Sequence, residues 1–219
     1  MELYDAMRTT FAARDFTDDP LPDEVLRRIL DNARFAPSGG NRQGAHVIVV
    51  RDLATRERLA ELTAPGARRY IAQSKAGEAP WNPVSPPGPS EEQIAAAKVP
   101  GFMTEPLLRS AVVLVFSVDL RVVAAIDQDL DRVSVTPGAS IYPLVWNVLL
   151  AARAEGYGGT LTTMALAREP EVRELLGIPE HHAVAAVVPL GKPVKQLTKL
   201  KRRPLSELVS LERFDGPPL

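Results

Sequence analysis

The chain has 219 residues, of which 45% are hydrophobic and 24% are charged, a composition typical of a globular protein with one sizeable core. Lys and Arg total 26 against 27 Asp and Glu, so the formal net charge of -1 offers no broad positive field for nucleic acid or an anionic membrane. The lack of cysteine excludes disulfides, thiol nucleophiles and thiolate metal sites. We expect one domain over residues 1–219, with neither nucleic-acid nor membrane partners.

The amino-terminal segment MELYDAMRTT is acidic from its second residue and lacks the apolar core of a signal peptide. No run of apolar residues approaches the roughly 18 that a membrane-spanning helix needs. These two features predict a cytoplasmic protein.

A helix and a strand are predicted early in the chain, on either side of an unusual loop. Residues 21–36, LPDEVLRRILDNARFA, repeat apolar side chains at helical spacing and predict an amphipathic helix. Residues 45–52, AHVIVVRD, are rich in β-branched side chains and predict a buried strand. The intervening residues 37–43, PSGGNRQ, form neither structure well, and we name them the Ser38 loop.

The next segments are a predicted helix over residues 52–63 and a proline-rich insertion over residues 74–106. The insertion is too long for a routine connection and is predicted to contain no regular element. Long insertions of this kind are either lids over a binding site or mobile segments, and both interpretations stay open.

Most of the remaining elements are strongly apolar. Residues 110–120 predict a strand, and residues 121–130, RVVAAIDQDL, predict a helix. Residues 138–156, GASIYPLVWNVLLAARAEG, predict a helix that is apolar nearly all round, so either the core or a second subunit must enclose it.

The last part of the chain contains a glycine turn, YGGTLTT, a helix over residues 169–177 and a strand over residues 182–191. Helices and strands mix without strict alternation, which predicts an α+β fold rather than a doubly wound sheet. Residues 192–219 are basic first and amphipathic later, and we expect this tail to lie across its own domain or a neighbouring one.

The sequence offers no familiar set of catalytic side chains. His46 and the adjacent His181 and His182 show no metal-ligand spacing, so no metal site is predicted. Ser38 does not lie in a nucleophile elbow, which argues against a hydrolase. No glycine pattern matches a dinucleotide-binding fingerprint, which excludes a Rossmann domain.

Glycine-rich loops and a basic cluster remain as candidate binding elements. The glycines of the Ser38 loop allow close backbone approach to a ligand, while Asn41 and Gln43 add amides that both donate and accept hydrogen bonds. The glycine turn can do the same, and the segment KLKRRP at residues 199–204 can bind a phosphate. Taken singly, these features also fit a helix cap, a turn and a solvated basic face. Together they predict a cofactor with a polar-edged ring and a phosphate.

The sequence resembles the nitroreductase family of flavin-dependent oxidoreductases in several ordered blocks. These are FAARDFTDDPLPDEVL, ARFAPSGGNRQGAHVIVV, GASIYPLVWNVLLAARAEGYGGTLTT, EVRELLGIPEHHAVAAVVPLGKP and RRPLSELV. The resemblance implies an α+β fold with a central mixed or antiparallel sheet flanked by helices, and an intertwined homodimer whose tail, residues 192–219, reaches the partner subunit. It also implies FMN as cofactor, NADH or NADPH as co-substrate and a small-molecule electron acceptor such as a quinone or a nitroaromatic, in a ping-pong reaction at the flavin N5.

The resemblance also assigns roles to particular residues. The positions that would contact FMN are Arg14, Pro37, Ser38, Gly39, Asn41, Gln43, Gly158, Gly159, Thr160, Lys201 and Arg203. Arg14 would face the N1/O2 edge of the flavin, while Lys201 and Arg203 would meet the phosphate. Trp81, Phe102 and Tyr142 are candidates for the substrate pocket, with the insertion over residues 74–106 as its roof. No protein side chain is expected to be catalytic, since the chemistry takes place on the flavin.

Two segments depart from the family pattern. Thr10, Phe11 and Ala12 stand where the family has charged and hydroxyl side chains for the phosphate, and Gly44-Ala45 replace Pro-Trp after the Ser38 loop. Three alternatives therefore stay open beside the enzyme: a flavin-sequestering protein of the same fold, a relative that uses the deazaflavin F420, and a dimer that has lost its cofactor.

Overall fold

The computed structural model describes residues 1–219 and contains seven α-helices and four strands. The helices are α1 Leu3–Thr9, α2 Asp23–Ala33, α3 Leu53–Lys75, α4 Glu91–Ala95, α5 Glu105–Arg109, α6 Tyr142–Ala154 and α7 Glu169–Leu176. The strands are β1 Ala45–Val50, β2 Val112–Asp119, β3 Gly158–Gly159 and β4 His182–Gly191. None of the helices has the length and apolar character that crossing a bilayer demands.

The four strands form one antiparallel sheet in the order β1-β2-β4-β3, which confirms the predicted α+β class with a central antiparallel sheet. The end of β2 lies beside the start of β4, where Asp119 pairs with His182. The start of β2 lies beside the end of β4, where Leu190 pairs with both Val112 and Gly159. The sheet therefore has an Asp119 end and a Gly159 end.

Helices cover both faces of the sheet, so both faces are buried. Leu114 and Phe116 of β2 point into a core shared with α2 and α6, while Val113 and Val115 point into a core shared with α3 and α7. Side chains of a strand alternate between faces, and a strand buried on both faces therefore reads as a continuous apolar run. This explains why β2 and β4 are recognisable in the sequence.

The predicted helix over residues 121–130 is wrong, because turns occupy that stretch. The carboxylate of Asp127 accepts hydrogen bonds from the hydroxyl of Ser134 at 2.6 Å, the hydroxyl of Thr136 at 2.5 Å and the backbone N–H of Val135 at 2.8 Å. It also pairs with Arg132 at 2.7 Å. Side chains that bond nearby loop groups compete with helical hydrogen bonding, and here they fold the segment into a compact loop.

The proline-rich insertion is more regular than predicted. Helix α3 continues to Lys75, α4 forms within the insertion, and a capping box of Ser90 and Gln93 fixes the start of α4. A capping box satisfies two backbone donors at a helix start, which offsets the shortness of α4. The insertion is thus folded, and its function as a lid stays a prediction.

The enclosure predicted for the apolar helix is only partial within one chain. Helix α6 buries Val145, Val148 and Ala152 against the sheet, but Trp146 remains 44% exposed. The tail after β4 is also largely exposed, with Phe214 entirely so. A single chain therefore leaves apolar side chains of α6 and of the tail uncovered.

Candidate functional site

The Ser38 loop lies beyond the Asp119 end of the sheet and holds an unusual backbone. Gly40, Asn41 and Gln43 have φ angles of 60°, 52° and 51°. Left-handed backbone is rarely adopted by residues other than glycine, and such strain concentrates at ligand-binding positions. The loop is held from within by a hydrogen bond of 3.0 Å from the Gln43 N–H to the Ser38 hydroxyl oxygen.

A second support for this loop comes from the segment before α6. The backbone N–H of Gly39 donates to the hydroxyl oxygen of Ser140 at 3.2 Å. Ser140 ends a 3-10 helix, Thr136–Ser140, whose first residue is bound by the buried Asp127. Donors from Ser134, Thr136 and Val135 hold the pKa of Asp127 far below its usual range, so the carboxylate stays ionised at neutral pH. Sequence reasoning missed both Asp127 and Ser140.

At the opposite end of the sheet, the glycine turn packs against the segment before Arg14. The backbone N–H of Ala13 donates to the carbonyl oxygen of Gly159 at 3.0 Å, and Ala12 forms a parallel bridge with Gly159. Thr160 follows, is only 5% exposed, and its backbone N–H has no acceptor within the chain. Buried N–H groups are nearly always paired, which points to a ligand acceptor at this position.

Arg14 and Thr160 line one cavity of about 250 Å³, which we name the Arg14 cavity. Phe102, Tyr70 and Pro189 form part of its walls. A neighbouring cavity of about 440 Å³ shares Tyr70 with it. The structure therefore brings three predicted positions together, since Arg14, Thr160 and Phe102 lie around one space.

Trp81 lines the neighbouring cavity and is held in a fixed orientation. Its indole N–H donates to the carbonyl oxygen of Gly66 at 3.2 Å, and the guanidinium carbon of Arg69 lies 3.9 Å from the centre of its ring. The φ angle of Trp81 is 58°. Its backbone N–H donates to the side-chain amide oxygen of the fully buried Gln73 at 3.1 Å. Sequence reasoning missed Gln73, because the residue lies beyond the predicted helix over residues 52–63, whereas α3 continues to Lys75.

The two groups of predicted residues lie at opposite ends of the sheet within one chain. Asp119, which pairs with His182 at the start of β4, donates its backbone N–H to the carbonyl oxygen of Gly44 directly after the Ser38 loop. Gly159 pairs with Leu190 near the end of β4. A strand rises by about 3.3 Å per residue, so roughly 25–30 Å separate these ends. A ligand pocket of 1,000 Å³ is only about 10 Å across, so one chain cannot wrap both groups around the same ligand.

Tyr142 lies with the Ser38 loop and not with the other two candidates for the substrate pocket. It begins α6, directly after the segment of Ser140, and its hydroxyl donates to the carbonyl oxygen of Ala185 at 3.3 Å. The three predicted pocket residues thus divide between the ends of the sheet, as the predicted cofactor residues do.

The tail passes the segment of Arg14 before it reaches its basic residues. The backbone N–H of Val194 donates to the carbonyl oxygen of Asp15 at 3.1 Å. The side-chain amide of Gln196 donates to the carbonyl oxygen of Thr9 at 3.1 Å. Lys201 and Arg203 follow and are exposed, with no ion-pair partner in the chain. The segment that departs from the family pattern therefore lies next to the base of the basic tail.

Within the departing segment, Thr10 is occupied by local bonds. It is 5% exposed, and its hydroxyl donates to the carbonyl oxygen of Ala6 at 2.8 Å. The neighbouring Thr9 hydroxyl accepts a hydrogen bond of 3.0 Å from Arg153. Helix α6 thus brings a positive charge, that of Arg153, next to this segment.

Comparison with known proteins places the chain in a family. The sequence model of the Nitroreductase family matches residues 7–192. The chain is 32% identical over 205 residues to an NADH dehydrogenase of Thermus thermophilus, covering 90% of this chain and 89% of the relative. Among solved structures, an NADPH:FMN oxidoreductase of Vibrio harveyi complexed with NAD+ has a TM-score of 0.68 at 22% identity, covering 98% of this chain and 78% of that one. An FMN complex of a nitroreductase-like protein from Desulfovibrio desulfuricans has a TM-score of 0.66 at 21% identity, covering 98% of both chains. The chain belongs to the nitroreductase family.

Proposed function

We propose that the protein is an FMN-dependent oxidoreductase that takes a hydride from NADH or NADPH and passes reducing equivalents to a small-molecule acceptor such as a quinone or a nitroaromatic. The observation that carries this proposal is the Arg14 cavity, which is lined by both Arg14 and the buried Thr160, whose backbone N–H has no acceptor within the chain. The name of the Thermus thermophilus relative favours NADH as the donor.

The residues present fit a flavin. Such a ring needs apolar contact on its faces and both donors and acceptors around its edge, and it carries a phosphate on a flexible chain. The Arg14 cavity would supply one backbone donor and a positive charge, the Ser38 loop would supply amides and a hydroxyl, and Lys201 with Arg203 would hold the phosphate. When bound, FMN would supply the hydride chemistry, and this chain would bind and orient the reactants.

The cavities support a reaction in which the nicotinamide and the acceptor use the same space in turn, as a ping-pong reaction requires. Tyr70, Phe102 and Trp81 give the two adjoining cavities aromatic walls. Such walls favour flat rings and exclude water from the site of hydride transfer. Trp81 is anchored through Gln73 and Gly66, so it would present a fixed stacking surface.

We further propose that the active site forms between two copies of the chain. The Ser38 loop of one copy would complete the Arg14 cavity of its partner, since roughly 25–30 Å of sheet separates them within one chain. Exposed apolar side chains on α1, α6 and the tail support this assembly, among them Tyr4 at 71%, Trp146 at 44% and Leu208 at 71%. Residues 192–219 would reach across the partner.

Reconstitution tests the enzyme directly. We expect purified protein with excess FMN to show a bound-flavin spectrum and to oxidise NADH or NADPH when menadione is supplied as acceptor. Absence of both the spectrum and the oxidation would refute the proposal. Flavin that dithionite reduces while NADH and NADPH do not would instead support a sequestering protein, and mass spectrometry of the cofactor released from cells would reveal F420.

Subunit mixing tests the shared site. Asn41→Ala alters the Ser38 loop and Arg14→Ala alters the cavity, so each variant alone should be impaired in both sites of its dimer. After denaturation and refolding of an equal mixture, half of the dimers should be mixed, and about one quarter of all sites should be intact. Recovery of activity would support the shared site, and a mixture no more active than the two variants would refute it.

A further inference from the structure

A second cluster of chemistry-bearing side chains lies at the Asp119 end of the sheet, away from the Arg14 cavity. In the antiparallel register, Asp119 of β2 pairs with His182 of β4, and Ser117 of β2 pairs with His46 of β1. Because alternate residues of a strand share a face, Ser117 and Asp119 lie on the same side of the sheet. The fold thus gathers all three histidines of the chain near one carboxylate.

Three of these side chains converge closely. One potential ligand atom from each of Asp119, His181 and His182 lies within 4.8 Å of the others, and all three residues are half-buried. The rings of the two histidines stand at 63° to each other with centroids 5.0 Å apart. The sequence showed only two adjacent histidines, and the carboxylate arrives from another strand.

The surroundings orient two of these groups. The hydroxyl of Ser117, which is 1% exposed, lies 3.2 Å from Nδ1 of His182, so Nε2 is the ring nitrogen left for a ligand. The guanidinium of Arg121 donates to the carboxylate of Asp119 through Nε at 3.0 Å and Nη2 at 2.7 Å. At metal centres a hydrogen bond such as that of Ser117 fixes the tautomer of the ligating ring. The guanidinium instead competes with a metal ion for the carboxylate of Asp119.

We propose that Asp119, His181 and His182 bind one divalent transition-metal ion, for which Zn²⁺ is the best match. Two imidazoles and one carboxylate form a donor set that Zn²⁺ accepts, with water completing the coordination. Zn–N and Zn–O bonds of about 2.0–2.2 Å place tetrahedral ligand atoms about 3.4 Å apart, so atoms now within 4.8 Å of one another must draw together by up to about 1.4 Å. Side-chain rotation can supply this movement, because none of the three side chains is fully enclosed.

The ion would tie the end of β2 to the start of β4 beside the Ser38 loop. Asp119 donates its backbone N–H to the carbonyl oxygen of Gly44 at 2.9 Å, and Gly44 directly follows that loop. The positive charge of Arg121 opposes a second cation at the same carboxylate, so it should weaken binding. The ion would bind without any contribution from the flavin.

Calorimetric titration of ZnCl₂ into untagged, chelator-treated full-length protein without FMN tests the site. We expect one ion per chain. Asp119→Asn and His181→Ala should each weaken binding at least about tenfold, and Ser117→Ala should weaken it by roughly tenfold, as loss of an outer hydrogen bond does at known metal sites. Arg121→Ala should tighten binding.

His46→Ala provides the matched control, because His46 is an exposed histidine on the neighbouring strand that lies outside the converging group. We expect this variant to bind Zn²⁺ within about twofold of the wild type, well inside the tenfold effects above. Circular dichroism confirms that each variant is folded, and His181 serves as the principal test because it lies in the turn before β4. Wild-type binding weaker than about 1 mM would overturn the proposal, as would equal losses in His46→Ala and His181→Ala.

Discussion

Adding one methyl group at Gly159 should disturb the Arg14 cavity far more than adding it at Gly158. A Cβ at position 159 would lie 2.6 Å from the carbonyl oxygen of Pro189 and 3.3 Å or less from side-chain carbons of Leu149 and Leu190. At position 158 the nearest atom would be the side-chain carbon of Ala13, at 3.3 Å. The contact with Pro189 involves backbone, so β3 must move away from β4 to relieve it.

The size of the effect follows from this overlap. Overpacking of a filled interior costs about 1–3 kcal/mol, and 1 kcal/mol lowers the melting temperature of a domain of this size by about 2–4 °C. We therefore expect Gly159→Ala to melt about 4–8 °C below the wild type, taking the middle of that range. The carbonyl oxygen of Gly159 accepts a hydrogen bond from the N–H of Ala13, and Thr160 follows Gly159 in the chain. The displacement of β3 should therefore also weaken FMN binding by about tenfold, which equals about 1.4 kcal/mol.

Thermal unfolding followed by circular dichroism measures the first quantity, and fluorescence titration with FMN measures the second. Gly158→Ala is the control, with an expected drop in melting temperature less than half as large. Equal melting temperatures for the two variants, or a Gly159→Ala variant that melts with the wild type, would refute the packing argument. If Gly159→Ala lowers the melting temperature as expected but leaves FMN affinity unchanged, the glycine turn does not form part of the cofactor site.

Three further outcomes are expected. Asp127→Asn should open the loop over residues 127–136 to limited proteolysis, because the variant lacks the carboxylate that holds the loop. The wild-type loop should resist cleavage at pH 7 and still at about pH 4. The pKa of Asp127 is depressed in the folded protein, so the carboxylate stays ionised until the pH falls through that folded-state value. Arg56→Met should lower the free energy of unfolding, measured in urea, by at least about 2 kcal/mol. The buried guanidinium donates to three backbone carbonyl oxygens, and the variant would leave these oxygens without a donor. Arg203→Ala should weaken FMN binding in fluorescence titration more than Arg202→Ala, since Arg202 is bonded back to the tail at 2.8 Å; equal affinities in both variants and the wild type would contradict the assigned phosphate site.

Much of the fold could be predicted from local pattern. Helix α2, strand β1 and strand β4 were recognised because period and side-chain shape act within a few residues. Residues 121–130 failed because the decisive interactions of Asp127 are with polar groups up to nine residues further on, which an apolar spacing cannot reveal. Tertiary bonding overrode local preference there.

The candidate site was predictable in composition but not in arrangement. The Ser38 loop and the glycine turn carry recognisable residues, yet only the strand register places them at opposite ends of the sheet. The cluster of Asp119 with His181 and His182 was likewise invisible, because the carboxylate ends β2 while the imidazoles lie at the start of β4 and in the turn before it, and the sequence does not show that these two strands pair. The register of two strands depends on contacts between residues far apart in the chain, so a local sequence motif cannot reveal it.

The length of the central sheet has a genetic consequence if two copies share each active site. A chain altered only in the Ser38 loop would leave one working centre when it pairs with a normal chain, because its own Arg14 segment still serves the partner's loop. A chain altered at both ends of the sheet would inactivate both centres of such a pair. When chains pair at random, a single lesion beside the normal copy would therefore leave about half of all sites working, whereas the double lesion would leave only the roughly one quarter of sites that lie in wholly normal dimers.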